Sequence, residues 1–235
     1  SLERVSELYK GEIRYTDECL GELFDYMKQT GIYDSSLIVL TADHGEEFFD
    51  HYAWDHLFSL YDELIRVPLI IKPPFAEEMK EVDSSLVQQL DIAPTMVEAV
   101  GGTPPEGWQG NNIFDPDFHN ECVIAQWEGI YSIRTLRYKL MQTSPDYSEL
   151  RLNHPDFKYI DERAAFPDNN LFDRVNDPHE INNIFNTPRG KEIADSLLSL
   201  VDVEELVIFA HNANADTIEI GEETRKMLRA IGYLQ

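Results

Sequence analysis

The chain has 235 residues, 43% of them hydrophobic and 11% aromatic, so it can bury a core and is not a disordered or low-complexity protein. Its 44 Asp and Glu against 19 Lys and Arg give a net charge of −25, which repels nucleic acid and anionic lipid surfaces. No apolar run reaches the roughly 18 residues of a membrane span, and no signal peptide opens the chain. We therefore expect a soluble protein, or a soluble piece of one, whose compartment its two cysteines leave open.

The first hundred residues alternate helical and strand patterns. Apolar side chains at three- and four-residue steps predict a helix over residues 4–29. Cys19 falls on this apolar stripe, so we expect it to be a buried free thiol. The continuous apolar runs 37–42 and 67–71 are typical of strands buried on both faces, as in parallel sheets covered by helices. Together these patterns predict an α/β fold.

The second half has a different texture, with short strands and long polar loops. Three strand candidates separated by turn residues predict a small antiparallel sheet. The stretch 145–183 is rich in Pro, Asp and Asn and predicts surface loops. The predicted helices are 91–100, 191–200 and 224–231, and the predicted strands are 122–127, 129–134 and 138–141.

Asp43 and His44 directly follow the predicted strand 37–42 and precede Gly45. The carboxyl edge of strands in open α/β sheets is where ligands bind. A carboxylate and an imidazole side by side can reach one divalent cation, and Gly45 would let the backbone turn sharply there. The alternative is that Asp43 caps a following helical turn and His44 lies on the surface.

Two further histidines, His51 and His56, follow within a few residues, together with Asp50, Trp54 and Asp55. A histidine beside a bound anion can donate a hydrogen bond or protonate a leaving oxygen. We therefore treat both as candidate catalytic residues, with His51 the weaker one. A solvated loop is the alternative for either histidine.

These motifs, taken in order, resemble the sulfatases of the alkaline phosphatase-like superfamily. The resemblance runs nearly end to end along this chain. It covers roughly the carboxyl-terminal half of a sulfatase. The segments that carry it are 15–18, 20–23, 37–47, 59–71, 91–95, 170–173, 176–180 and 228–234.

The resemblance implies a metal-dependent hydrolase of sulfate esters, on small molecules or glycans. It places residues 1–115 in the carboxyl-terminal part of the alkaline phosphatase-like α/β domain, with a mainly parallel sheet. Residues 116–235 would form a small antiparallel subdomain with a helix. Asp43 and His44 fall where the family holds its cation, calcium in many members, while the imidazole also suits manganese or zinc. His56 lies near the position of a sulfate-contacting Lys or His, and Tyr61, Arg66 and Asp91 are similar to framework residues.

The family's nucleophile motif is missing from these residues. Sulfatases use a formylglycine made from Cys or Ser in C/S-x-P-x-R, and neither Cys19 nor Cys122 stands in that pattern. We therefore expect this chain to be a fragment that is inactive alone, with the formylglycine in an amino-terminal half outside the chain. We also expect that it can self-associate at an exposed sheet edge. The alternatives are a phosphate or phosphonate ester hydrolase of the same superfamily, and a non-catalytic binding module that keeps the fold.

The charge of −25 leads to a first prediction about stability. Like charges repel one another in the folded chain, and salt screens that repulsion over about 10 Å at 0.1 M. Thermal melts should therefore move upward between low salt and about 1 M NaCl. A flat or falling melting temperature would show that charge repulsion does not limit stability.

Overall fold

The fold is described by a computed structural model that covers residues 2–56, 59–75, 84–127, 129–144 and 167–201, with the backbone alone at Asp55. The predicted helix 224–231 lies outside the described residues. Among those that are described, no helix is long and apolar enough to cross a membrane. The helices are α1 (Leu2–Gln29), α2 (Asp62–Ile65), α3 (Ile92–Ala99) and α4 (Pro188–Leu198). The strands are β1 (Ile38–Thr41), β2 (Glu47–Phe48), β3 (Trp54–Asp55), β4 (Leu69–Lys72), β5 (Val123–Trp127), β6 (Ile130–Arg134), β7 (Tyr138–Thr143) and β8 (Asn169–Asp173).

Helix α1 forms as its periodicity predicts, but the residues that the structure describes cover its apolar stripe only in part. None of the side chains from Leu2 to Gln29 is fully buried, and Leu8 and Ile13 are 61% and 54% exposed. Cys19 is exposed, so the expectation of a buried thiol was wrong. The 3.6-residue period shows which side chains share a face, and it does not show what packs against that face.

Strands β1 and β4 pair with each other, and they do so antiparallel. Val39 lies opposite Ile71 and Leu40 opposite Ile70. The sequence had indicated parallel strands buried on both faces. Instead β1 is half-buried, and Ile70 is 56% exposed. A continuous apolar run favours a strand that is covered, but it carries no information about the direction of its neighbour.

The small antiparallel sheet contains four strands in the order β5-β6-β7-β8. The first three were predicted, whereas β8 was mistaken for loop because Asn169, Asn170 and Asp173 are typical turn residues. Asn170 is buried in the strand, where its side-chain amide donates to Pro167 O and its oxygen accepts from Asn183. Contacts outside the strand, including one with Asn183 13 residues further along the chain, thus overcome the local preference.

The two faces of this sheet pack against different parts of the chain. Helix α4 begins at Thr187, whose hydroxyl accepts the Gly190 N–H at 2.9 Å. One sheet face packs on α4, and the other packs on the segment just before α2. The α4 side contains Ile133, Leu140, Leu171, Ile193, Ala194 and Leu197, and the α2 side contains Leu60, Tyr61, Ile130, Met141 and Phe172. Neighbouring strand residues point to opposite faces, so the sheet lies between α4 and the α2 segment.

Candidate functional site

The Asp43–His44 pair lies in the turn that leaves β1, where the sequence predicted it. The side-chain amide of Gln89 donates to Ala42 O at 2.8 Å and to Asp43 O at 3.0 Å. Gln89 belongs to a short 3-10 helix just before α3. The backbone of the turn is therefore held from outside by a segment some 46 residues further along the chain.

Gly45 is required here for a reason that the sequence did not indicate. Its N–H donates to Leu64 O at 2.7 Å, which brings its backbone directly against α2. A Cβ at this position would lie 1.9 Å from Glu63 O, closer than any real contact. Its backbone is not in the left-handed region, so close packing rather than a sharp turn explains the glycine.

The ring of His56, which follows β3, lies against the ring of His44 in the turn after β1. Their rings stack with centroids 4.2 Å apart and planes 26° apart. The β2–β3 ribbon returns the chain to this point, since Phe48 pairs with Trp54. Nδ1 of His56 is 3.3 Å from Glu46 Oε2, which orients its ring. The expected proximity of His56 to His44 is thus observed, while the chemical role of each stays a prediction.

The donor atoms of Asp43 and His44 suit a cation. The backbone N–H of His44 donates to Asp43 Oδ1 at 3.0 Å and, together with the nearby imidazole, lowers the pKa of Asp43. Nδ1 of His44 is 2.8 Å from Gly45 O. A carbonyl only accepts, so Nδ1 is the donor in this contact, and the neutral form of the ring has its lone pair on Nε2. Nε2 is 3.8 Å from Asp43 Oδ2, a separation that allows both atoms to contact one ion.

This pair provides two ligands and no more among the residues that the structure describes. No group of three or more His, Cys, Asp or Glu side chains within them is arranged to hold a metal ion. Two protein ligands leave most of the coordination of a hard cation to water or to other groups. Asp43 and His44 therefore fit part of a metal site.

His51, the weaker catalytic candidate, contacts a different set of residues. Its ring stacks on Tyr61 at 3.6 Å, and its Nε2 donates to His179 O at 3.1 Å. Its Nδ1 lies 3.8 Å from Glu47 Oε1 and 3.7 Å from Glu63 Oε2. The side chain is only 9% exposed. The structure thus places His51 in the interior rather than beside His44 and His56.

Burial of Glu47 has a consequence for its ionisation. Removal from water, together with the negative charge of Glu63 and Asp50, raises the pKa of Glu47 to about 7. The hydrogen bond that the Ser59 hydroxyl donates to the Glu47 carboxylate at 3.1 Å opposes this rise. Glu47 lies at the start of the ribbon that carries His56. Sequence reasoning missed it, because only burial distinguishes Glu47 from the other acids of this segment.

Of the three residues expected to form the framework, two are buried and one is exposed. Asp91 is fully buried and accepts hydrogen bonds from the backbones of Gln88 and Asn111 and from the Asn120 side chain, at 2.8 to 3.0 Å. Tyr61 is buried under His51. Arg66, by contrast, is exposed.

A separate cavity of about 440 Å³ lies near α3 and is lined in part by Trp108 and His119. The carboxyl groups of Glu98, Asp115 and Asp117 also line it, and they would repel an anionic ester. This cavity includes neither Asp43 nor His56, so it is not the predicted site.

Comparison with known proteins supports the resemblance. The sulfatase family model matches residues 3–102. The multifunctional alkaline phosphatase superfamily protein PehA of Trinickia caryophylli is 28% identical over 197 residues, which cover 80% of this chain and 37% of the relative. N-acetylglucosamine-6-O-sulfatase of Bacteroides thetaiotaomicron is 28% identical over 195 residues, covering 83% of this chain and 34% of the relative.

The fold is also shared with solved structures. A protein solved in complex with its substrate D-glucosamine-2-N,6-O-disulfate matches with a TM-score of 0.65 and 26% identity. The match covers 88% of this chain and 41% of that protein. The chain therefore spans well under half the length of the relatives it matches. The predicted α/β fold class and the resemblance are confirmed.

Gly45→Ala tests the close contact with α2. Since its Cβ would lie 1.9 Å from Glu63 O, α2 or the turn must move, and we expect a loss of roughly 1–3 kcal/mol. Gly21→Ala on α1 is the control, because nothing lies within 4 Å of its Cβ and alanine there should gain about 0.5–1 kcal/mol. Denaturant unfolding measures both, and equal stability of the two variants would refute the contact.

Glu47→Gln tests the buried carboxyl. Because its folded pKa of about 7 lies above the ordinary glutamate value of 4.5, the wild type should lose stability as pH rises from 4.5 through 7. Glutamine stays neutral, so the variant should gain up to about 3 kcal/mol at pH 8 and little at pH 5. Melts of the exposed Glu22→Gln control reveal the effect of charge loss alone. A pH-independent difference between Glu47→Gln and the wild type would contradict the burial argument.

Proposed function

We propose that this chain contains part of the active site of a sulfate ester hydrolase. Residues 3–102 match the sulfatase family model, and the fold is similar to that of a protein solved with a sulfated sugar. The observation that carries the proposal is the stacking of His44 on His56 beside the ionised Asp43, at the end of β1. Carboxylate and imidazole side chains on one turn are suited to a cation and an anionic ester together.

Each residue has a proposed role. Asp43 Oδ2 and His44 Nε2 hold a divalent cation, calcium in the first instance and manganese or zinc as alternatives. A bound cation supplies positive charge that attracts and stabilises the anionic ester. The hydrogen bond from His44 Nδ1 to Gly45 O fixes the orientation of the ring and the tautomer that would present Nε2 to the cation. His56 donates its ring N–H to an oxygen of the ester, and Glu46 keeps that ring in place.

The substrate is a sulfate ester on a small molecule or glycan. Support comes from the relative named N-acetylglucosamine-6-O-sulfatase and from the fold match to a protein bound to glucosamine disulfate. PehA, a multifunctional alkaline phosphatase superfamily protein, favours a phosphate or phosphonate ester as the second candidate. The donor set of Asp43 and His44 serves either anion.

The nucleophile is proposed to come from outside these 235 residues. Covalent hydrolysis in sulfatases uses formylglycine, and the sequence contains no C/S-x-P-x-R motif from which it is made. The chain alone should therefore not turn over an ester. A chain that binds the metal tightly by itself, without hydrolysis, would instead be a binding module.

The test combines turnover with metal titration. The purified chain is assayed on an aryl sulfate and an aryl phosphate with Ca²⁺, Mn²⁺ and Zn²⁺, and each metal is titrated by calorimetry. We expect no turnover and binding weaker than about 0.1 mM that disappears in Asp43→Ala. Asp25→Ala is the matched control, because it removes the same charge from exposed α1 and should bind as the wild type does.

Three outcomes would change the proposal. Metal binding that survives in Asp43→Ala would overturn the ligand assignment. Turnover that is lost in Asp43→Ala would show that a nucleophile lies within these residues. Tight Asp43-dependent binding without turnover would favour the binding module.

A further inference from the structure

A cluster of buried charged side chains joins α2 to the four-stranded sheet. We call it the buried ion cluster, and its members are Asp62, Arg134, Lys139, Arg174 and Glu180. Nζ of Lys139 lies 3.1 Å from Asp62 Oδ1 and 2.9 Å from Glu180 Oε1. Arg134 and Arg174 contact Asp62 from two other sides. Lys139 is completely buried and Glu180 is 2% exposed, so these two charges are stabilised by their ion pairs rather than by water, whereas the Arg134 side chain is 20% exposed.

The cluster determines where α2 begins. Asp62 is its first residue, and the Asp62 N–H donates to Glu180 Oε2 at 2.9 Å. A helix of four residues is a single turn and cannot hold its position without tertiary contacts. Any displacement of Asp62 would leave buried charges without partners, which is costly. The cluster therefore allows α2 one position on the sheet.

The far end of α2 in turn contacts the candidate site. Leu64 O accepts the Gly45 N–H at 2.7 Å, and Glu63 O occupies the space where a Gly45 Cβ would lie. Gly45 directly follows His44. Hydrogen bonds thus connect Lys139 and Glu180 to Asp62, the backbone of α2 connects Asp62 to Leu64, and a further hydrogen bond connects Leu64 to the turn that carries Asp43 and His44.

A second contact leaves the same loop. The residue before Glu180 supplies His179 O, which accepts His51 Nε2 at 3.1 Å, and the His51 ring stacks on Tyr61 beside α2. Glu180 itself has a φ of +54°, a conformation that a glutamate adopts only where its surroundings hold it there. This loop thus anchors both α2 and the segment that leads to His56.

We infer that Lys139 and Glu180 are positioning residues, which hold the Asp43–His44 turn in place through α2. The inference rests on the proposed function, because that turn carries the proposed metal ligands. The structural part of the inference does not depend on that function: the small antiparallel sheet, which lies far along the chain, orders the turn at the end of β1.

Amide hydrogen exchange of the full chain, followed by NMR, tests this. In Lys139→Met and Glu180→Gln we expect the protection factor of the Gly45 amide to fall at least about tenfold more than that of the Ile133 amide in the sheet centre. The reason is that each variant breaks the path through α2 and leaves the centre of the sheet in place. Arg137→Met is the matched control, because its partner Asp173 forms an exposed pair at 2.9 Å outside the path. It should leave Gly45 protected.

Parallel loss of protection at Gly45 and Ile133 would show a general loss of stability and overturn the inference, as would an unchanged Gly45. The wild type gives a measurement that needs no variant to fold. Its Gly45 and Asp62 amides should exchange through one opening, with the same dependence on denaturant, and different dependences would also overturn the inference.

A separate arm concerns the metal. Mn²⁺ should broaden the ring signals of His44 and His56 in the wild type and broaden them less in Glu180→Gln. Absence of broadening in the wild type would contradict the proposed metal site while leaving the exchange result standing. Equal broadening in both proteins would show that the cluster does not position the ligands.

Discussion

Asp62 brings the charges of the buried ion cluster together, and the position of α2 depends on them. Burial alone would raise the pKa of its carboxyl, but Lys139, Arg134 and Arg174 together lower it to about 2. Such a cluster adds little net stability over a well-packed apolar core, because each charge has lost its hydration. What it supplies is discrimination between arrangements, since a shifted α2 would leave charges buried without partners.

The local elements could largely be predicted from the sequence. The period of α1, the apolar run of β1 and the turn residues around β5 to β7 all indicate structure within a few residues of chain. The pairing of Asp43 with His44 and the return of His56 to them also followed from short spacing, helped by the resemblance to sulfatases.

Other features depend on contacts across long separations and could not be predicted. Asp62 and Lys139 are 77 residues apart, and Asp62 and Glu180 are 118 apart. No local pattern distinguishes these charges from the many on the surface. The interior position of His51 and the tight approach of Gly45 to Glu63 depend on the same tertiary packing. Strand β8 was missed because its asparagines find partners only in the folded chain.

Electrostatics set a condition on the proposed chemistry. A protein of charge −25 repels a sulfate ester, and the Glu46 carboxylate lies 3.3 Å from the ring of His56. Local positive charge must overcome this field, which gives a cation held by Asp43 a role in attraction as well as in reaction. The three cations of the ion cluster are paired with the carboxylates of Asp62 and Glu180.

The two thiols differ in exposure, because Cys19 lies on a part of α1 that the fold leaves open. Cys19 is exposed, whereas burial and the nearby Glu121 raise the pKa of the half-buried Cys122. Alkylating reagents react with the thiolate, so Cys19 is the thiol that a maleimide dye or spin label modifies first. The natural sequence thus offers a single attachment point on α1, from which distances to other parts of the protein can be measured in solution.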